Sequence, residues 1–195
     1  MATTFMPKQL SFDFEKGRVQ LFTRGYTQLQ VDGINAIVSE ANRQGITNKA
    51  QLAYIFATGY HEGFDYDGKT TGTVQRLVPI KEKGSAAYLR GKSYWPHIGY
   101  GFAQITWLDN YRKFAPVIKQ KFGVDILKNP ELLLRTDIAA FVIVFGMVNG
   151  TFTGRKLSNY ITSARIDFPK ARRIINGVDE AETIASYASS FLKCI

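Results

Sequence analysis

The chain has 195 residues, a length that fits one domain or a core domain with a small appendage. With 45% hydrophobic and 21% charged residues it has ordinary globular proportions and enough apolar side chains for a real core; its single cysteine, Cys194, excludes an intrachain disulfide and a cysteine metal cluster. Lysine and arginine outnumber the acids by 25 to 16, and the resulting charge of +9 points to a polyanionic partner: nucleic acid, anionic lipid or an acidic cell-surface polymer.

The opening stretch MATTFMPKQLSFDFEKGR lacks the continuous apolar region of a secretory signal, so synthesis as a cytoplasmic chain is the expectation. Residues 31–43 place Ile34, Ile37, Val38 and Ala41 at helical spacing and predict an amphipathic helix. A second helix begins after Asn48, a good N-cap, carries Leu52, Ile55, Phe56 and Tyr60 on its apolar side, and stops around 61–63. From 64 to 107 the texture becomes rich in Gly, Tyr, Lys and Pro without helical periodicity, with a short strand predicted near 74–78. A loop of that length within a compact domain is unusual unless it is functional.

Helical signals return after Trp107. Asp109 is a predicted cap for a helix running toward Phe122. Asn129 and Pro130, an N-cap and a proline at the first helical position, open ELLLRTDIAAFVIVFGMV as one helix or two. Its apolar run, 138–148, is too short to cross a bilayer and reads as a core helix. Asp179 with Glu182 three residues on forms a predicted capping box before the last helix, ETIASYASSFL.

The pair His61-Glu62, at the end of an apolar helix, is out of place for packing alone. A zinc H-E-x-x-H pattern needs a second histidine where Asp65 stands, so no metal is expected. Cys194 lies where chain ends fray and is a poor nucleophile. Carboxylates remain. Glu62, at the junction of an apolar helix and a polar segment, is placed for the partial desolvation that suits a general acid. Glycoside hydrolysis needs a second carboxylate, and Asp65, Asp67 and Glu82 are the candidates that the residues alone leave open.

Taken together, HEG, PIKEKGSAAYLRG, YWPHIGYGFAQITWLDNY, GVDILKNPEL and RIING resemble, in that order, the blocks of phage endolysins related to the chitinases of glycoside hydrolase family 19. The resemblance covers about residues 28–191. It implies a mainly α, lysozyme-like single domain, with a small loop or hairpin lobe and a substrate cleft. It implies Glu62 as general acid, Glu82 as general base, and Thr106 helping to hold the attacking water. Gln104, Asn110 and Asn176 fall on sugar-binding positions, and Tyr94, Tyr100 and Trp107 on the aromatic part of the cleft. His61 is expected behind the acid rather than on the sugar. Gly63 replaces the threonine of the family's HET motif, and Tyr100 replaces the arginine of the chitinases' GRG turn, a form shared by phage relatives.

Each of these positions has a structural alternative. Gln104 and Thr106 read equally as polar residues on a strand edge, Asn110 as a first-turn helix residue, Asn176 as a C-cap before Gly177, and Trp107 as half core. The basic patch at Arg165, Lys170, Arg172 and Arg173 reads as a solvated face that could also meet an anionic polymer. The function implied by the resemblance is hydrolysis of the β-1,4 bonds of peptidoglycan glycan, as a muramidase with inversion and without cofactors. Inversion places the two carboxyl groups about 6.5–9.5 Å apart. The protein would act as a monomer, wait in the host cytoplasm and reach the periplasmic wall after membrane permeabilisation, with the anionic outer membrane as a second contact and nucleic acid as none. A chitinase and a non-catalytic cationic wall- or membrane-binding protein are the rival readings.

Overall fold

The segment KAQLAYIFATGYHE offers apolar or small residues on nearly every face, and a helix of that kind belongs inside a protein. In the computed structural model, which describes residues 9–63 and 76–195, it forms α3 (Lys49–Glu62). Its positions 50 and 52–60 are buried all round, more than the single apolar face expected from Leu52, Ile55, Phe56 and Tyr60. Burial of each large aliphatic or aromatic side chain there contributes about 1.5–3 kcal/mol. Asn48 caps α3 as predicted, its side chain accepting from Ala50 N–H at 2.9 Å.

Four other helices surround or adjoin it. α1 (Phe14–Gln20) and α2 (Gln28–Arg43) precede it in the chain. α2 starts three residues before the predicted position, because Thr27 and Gln30 form a reciprocal capping box. α6 (Thr136–Asn149) is apolar on all sides, and α8 (Ala181–Leu192) lies along α3. The fold is mainly α, as the resemblance implied. Among the described residues no helix is long and apolar enough to cross a membrane.

Two buried clusters make up the core, and α6 supplies both. Ala139, Ala140, Ile143, Val144 and Met147 join the cluster around α3, whereas Ile138, Phe141 and Val142 join a second one. That second cluster lies under α5 (Leu108–Phe122) and the segment before it.

The segment before α5 carries the two-stranded sheet, β1 (Ile80–Lys81) antiparallel to β2 (Tyr100–Gly101), with Ile80 opposite Gly101 and Lys81 opposite Tyr100. Of the strand predicted at 74–78, residues 74 and 75 lie outside the described residues, and 76–78 form a turn in which Leu77 takes φ +57°. Between the strands, α4 (Ala86–Arg90) is capped by Ser85, a helix too short to leave a periodic signal. The turn before β1 packs on α2 through close backbone approach. A Cβ on Gly33 of α2 would come within 2.0 Å of the Leu77 carbonyl oxygen.

Several predicted caps are absent. Trp107, with φ +75°, takes the N-cap position of α5, while Asp109 sits in the first turn and pairs with Arg112 at 3.0 Å. Pro130 begins a 3-10 helix, Pro130–Leu134, separate from α6, and the Asn129 side chain makes no capping bond. No Asp179–Glu182 box forms, because Glu180 takes the cap position in left-handed conformation and the Asp179 carbonyl accepts from Arg172 Nε at 3.0 Å. Cys194 is not at a frayed end either. It is fully buried, and its carbonyl accepts from Asp13 N–H at 2.7 Å. α7 (Phe168–Ala171) adds a short turn before a 3-10 helix, Arg172–Ile174.

Candidate functional site

Glu82 follows β1, and its N–H extends the ladder by donating to Gly99 O at 2.6 Å. Its carboxylate folds back over the same residue. Oε2 accepts from Gly99 N–H at 2.8 Å, and Oε1 accepts from the Tyr94 hydroxyl at 2.7 Å. Both are charge-assisted bonds, the short and strong kind. The bond to Glu82 is also the main reason that the Tyr94 hydroxyl is pushed above its ordinary pKa, so it remains a donor at neutral pH.

Gly99 is the point where the other residues of this cluster meet. A Cβ there would stand 2.9 Å from Gln104 Oε1, 3.4 Å from Glu82 Cβ and 3.4 Å from Thr106 Oγ1. Glu82, Gln104 and Thr106 therefore crowd around the same glycine. Gln104, at φ +48°, donates through Nε2 to the Ile80 and Gly101 carbonyls, both at 2.8 Å, so its amide nitrogen braces the two strands. Thr106 Oγ1 donates to Gln104 O at 3.0 Å, and Asn110 Nδ2 donates to Thr106 O at 2.8 Å. Asn110 Oδ1 accepts from Lys113 Nζ, which engages both ends of the amide within the protein.

Of the aromatic positions, Trp107 is 52% exposed and meets Tyr94 edge to face at a centroid distance of 5.0 Å. It belongs to neither core cluster, so the half-core reading is not met, and an indole surface is left in solvent. Tyr100 is buried, 3% exposed, so it packs in the second core cluster instead of presenting a face to a sugar.

Glu62, the last residue of α3, belongs to a separate group. Its Oε1 accepts from Arg172 Nη1 at 2.9 Å. Arg172 is itself buried, and Asp179 O fixes its other edge. The expected solvated face at Arg172 and Arg173 is thus corrected by half: Arg173 is exposed, whereas Arg172 turns inward because Glu62 supplies the counter-charge that a buried guanidinium needs. No local pattern in the sequence marks this pair, whose members stand 110 residues apart. Tyr54, two turns earlier on α3, has a buried hydroxyl without a hydrogen-bond partner among the described residues, and burial raises its pKa above the ordinary range.

His61, the residue before Glu62, is partly buried, its ring 6.5 Å from that of Tyr187. Burial is the main cause that lowers its pKa, with Glu62 pulling the other way. Asn176 is exposed; its N–H donates to Arg172 O at 3.0 Å, and its Oδ1 accepts from Gly177 N–H at 2.9 Å, the turn role of its structural alternative.

The two groups are joined by packing. Gly59, one turn before Glu62, has so little room that a Cβ would lie 3.1 Å from Leu77 Cδ2 and 3.6 Å from Phe102 Cβ. Phe102 is two residues before Gln104, so the sheet rests on the last turns of α3. Asp65 and Asp67, the other candidates for the second carboxylate, lie outside the described residues. Among the described residues no three of His, Cys, Asp and Glu gather as a metal site. No family model matches the chain, and no curated protein matches it.

Proposed function

We propose that the protein is an endolysin-type muramidase that hydrolyses β-1,4 glycosidic bonds of peptidoglycan with inversion, in keeping with the resemblance to family 19. The observation that carries the reading is the fixing of Glu82 on both oxygens, by Tyr94 and Gly99, with Thr106 and Gln104 against the same glycine. A solvated surface glutamate has no need of such a cradle. In the proposed mechanism Glu82 takes a proton from the water that attacks C1, and Thr106 orients that water. Glu62 protonates the leaving oxygen through Oε2, since Oε1 is bound to Arg172. Exposed Trp107 offers a stacking surface for a sugar. The enzyme would be held in the host cytoplasm until the membrane is breached, then act on the periplasmic wall.

The test is mass spectrometry of soluble fragments released from purified peptidoglycan by the wild type, Glu62→Gln and Glu82→Gln, with NMR of the first anomer formed. The expected result is reducing-end N-acetylmuramic acid in the α configuration with the wild type, and a rate lower by about 10²–10⁴-fold in either variant. Anhydro ends would make it a lytic transglycosylase and remove the water-activating role of Glu82 and Thr106. Cleavage of chitin alone would make it a chitinase. No fragments from either polymer would leave a cationic wall-binding protein.

A further inference from the structure

Between Asp137 and Asp167 the chain has no acidic residue, yet it carries Arg155, Lys156 and Arg165. This stretch turns sharply at residues 150–155, where Gly150 and Gly154 take φ +75° and +86° and the Gly154 N–H donates to Gly150 O at 2.7 Å. Two side chains fasten the turn to the rest of the protein. Thr153 Oγ1 lies 2.8 Å from Arg173 O and 2.9 Å from Ile174 O, and Lys113 Nζ donates to Phe152 O at 3.2 Å. Lys113, Arg155 and Arg173, from three parts of the chain, are thereby gathered around one turn.

All three are exposed, and none forms an ion pair with a carboxylate among the described residues. Two of the acids around them are already paired. Asp109 pairs with Arg112 at 3.0 Å, and Asp167 pairs with Arg165 at 2.6 Å and Lys170 at 3.4 Å. Glu180 and Glu182 line a groove of about 530 Å³ that also touches Arg173 and Lys170. Chain connectivity and hydrogen bonds link these cations to both carboxylate groups of the site. At one end Arg173 follows Arg172, which holds Glu62; at the other, Lys113 holds Asn110, which is bound to Thr106 O.

We propose that this strip binds the carboxylates of the stem peptides carried on peptidoglycan glycan, so that the substrate is the peptide-bearing strand rather than a neutral GlcNAc polymer. The proposal rests on the glycosidase reading above. A neutral sugar chain offers only hydroxyl and amide groups, which gain little from three exposed cations that pair with no carboxylate among the described residues. Stem peptides offer carboxylates, and arginine binds these through paired, charge-assisted hydrogen bonds.

The experiment compares intact sacculi with sacculi stripped of stem peptides by an amidase, using the wild type and the double variant R155Q/R173Q, which leaves the Lys113–Asn110 bond in place. Binding is read by co-sedimentation and cleavage by released fragments. Binding of the wild type to intact sacculi should weaken steeply as salt rises from low to physiological ionic strength, and the double variant should bind them about tenfold more weakly at low salt. On stripped sacculi the two proteins should bind and cleave alike. Equal binding of both proteins to intact sacculi would overturn the proposal, as would an equal loss by the double variant on both substrates. Failure of the glycosidase reading would look different: no fragments from the wild type on either substrate, whatever the binding.

Discussion

A carboxylate that accepts from a phenol on one oxygen and an amide on the other cannot rotate, and this fixes where Glu82 can meet a water. The substitution Tyr94→Phe keeps the ring against Trp107 and removes one of the two bonds. A hydrogen bond to a charged group is worth about 1.5–3 kcal/mol, so kcat should fall by roughly tenfold to a hundredfold, with KM and the unfolding midpoint little changed. Unaltered kcat would remove Glu82 from the reaction. His61 gives a second test at this scale. Burial lowers its pKa in the folded protein from 6.5, so in the window below 6.5 the unfolded chain binds the extra proton. The stability due to neutral His61 is therefore complete above about pH 6.5 and is lost as the pH falls through the folded value. Thermal midpoints measured from pH 7.5 to 5.5 should fall less steeply for His61→Gln than for the wild type; parallel slopes would show that the imidazole does not set this dependence.

At the level of elements, α2 and α5 are linked by a buried charge. The Glu40 side chain is 3% exposed; Lys121 Nζ bonds both of its oxygens, at 2.9 and 3.1 Å, Gln44 Nε2 bonds Oε1, and Arg43 bonds Oε2. Lys121 is only 29% exposed, while Arg43 is 59% exposed and can trade its contact for water. Lys121→Ala should cost about 1–3 kcal/mol in urea unfolding, and Arg43→Ala under about 1 kcal/mol. Equal losses would mean that burial does not rank the two contacts. Local chemistry made some of these elements readable in advance. Asn48, the apolar run of α6 and the end of α3 at Glu62 were legible because each signal lies within a turn or two of the feature it marks. The Asp179–Glu182 box was misread because Arg172, a tertiary partner, takes the Asp179 carbonyl. Arg172 itself was hidden for the same reason, since its role depends on a residue 110 positions away. The convergence of Glu82, Gln104 and Thr106 came from resemblance; the Tyr94 bond that holds Glu82 came from neither resemblance nor spacing.

Over the whole molecule, α6 ties the two core clusters together, with Ile143 in one and Phe141 in the other on the same helix. Neither cluster can lose this helix without exposing the other, so unfolding should be a single cooperative transition. Calorimetric and van't Hoff enthalpies should agree; a second heat-capacity peak would show that the clusters melt apart. Phe141→Ala should lower stability by about 3–5 kcal/mol. The placement of the tryptophans has a separate consequence. The chain has two, Trp95 and Trp107, 39% and 52% exposed, and both lie in or at the end of the segment that carries Glu82, while the helical core has none. Emission excited selectively at tryptophan is therefore a reporter of this segment alone: glycan settling on Trp107 would change the emission directly, and a spectrum that follows ligand while helical circular dichroism stays constant would read occupancy without any label.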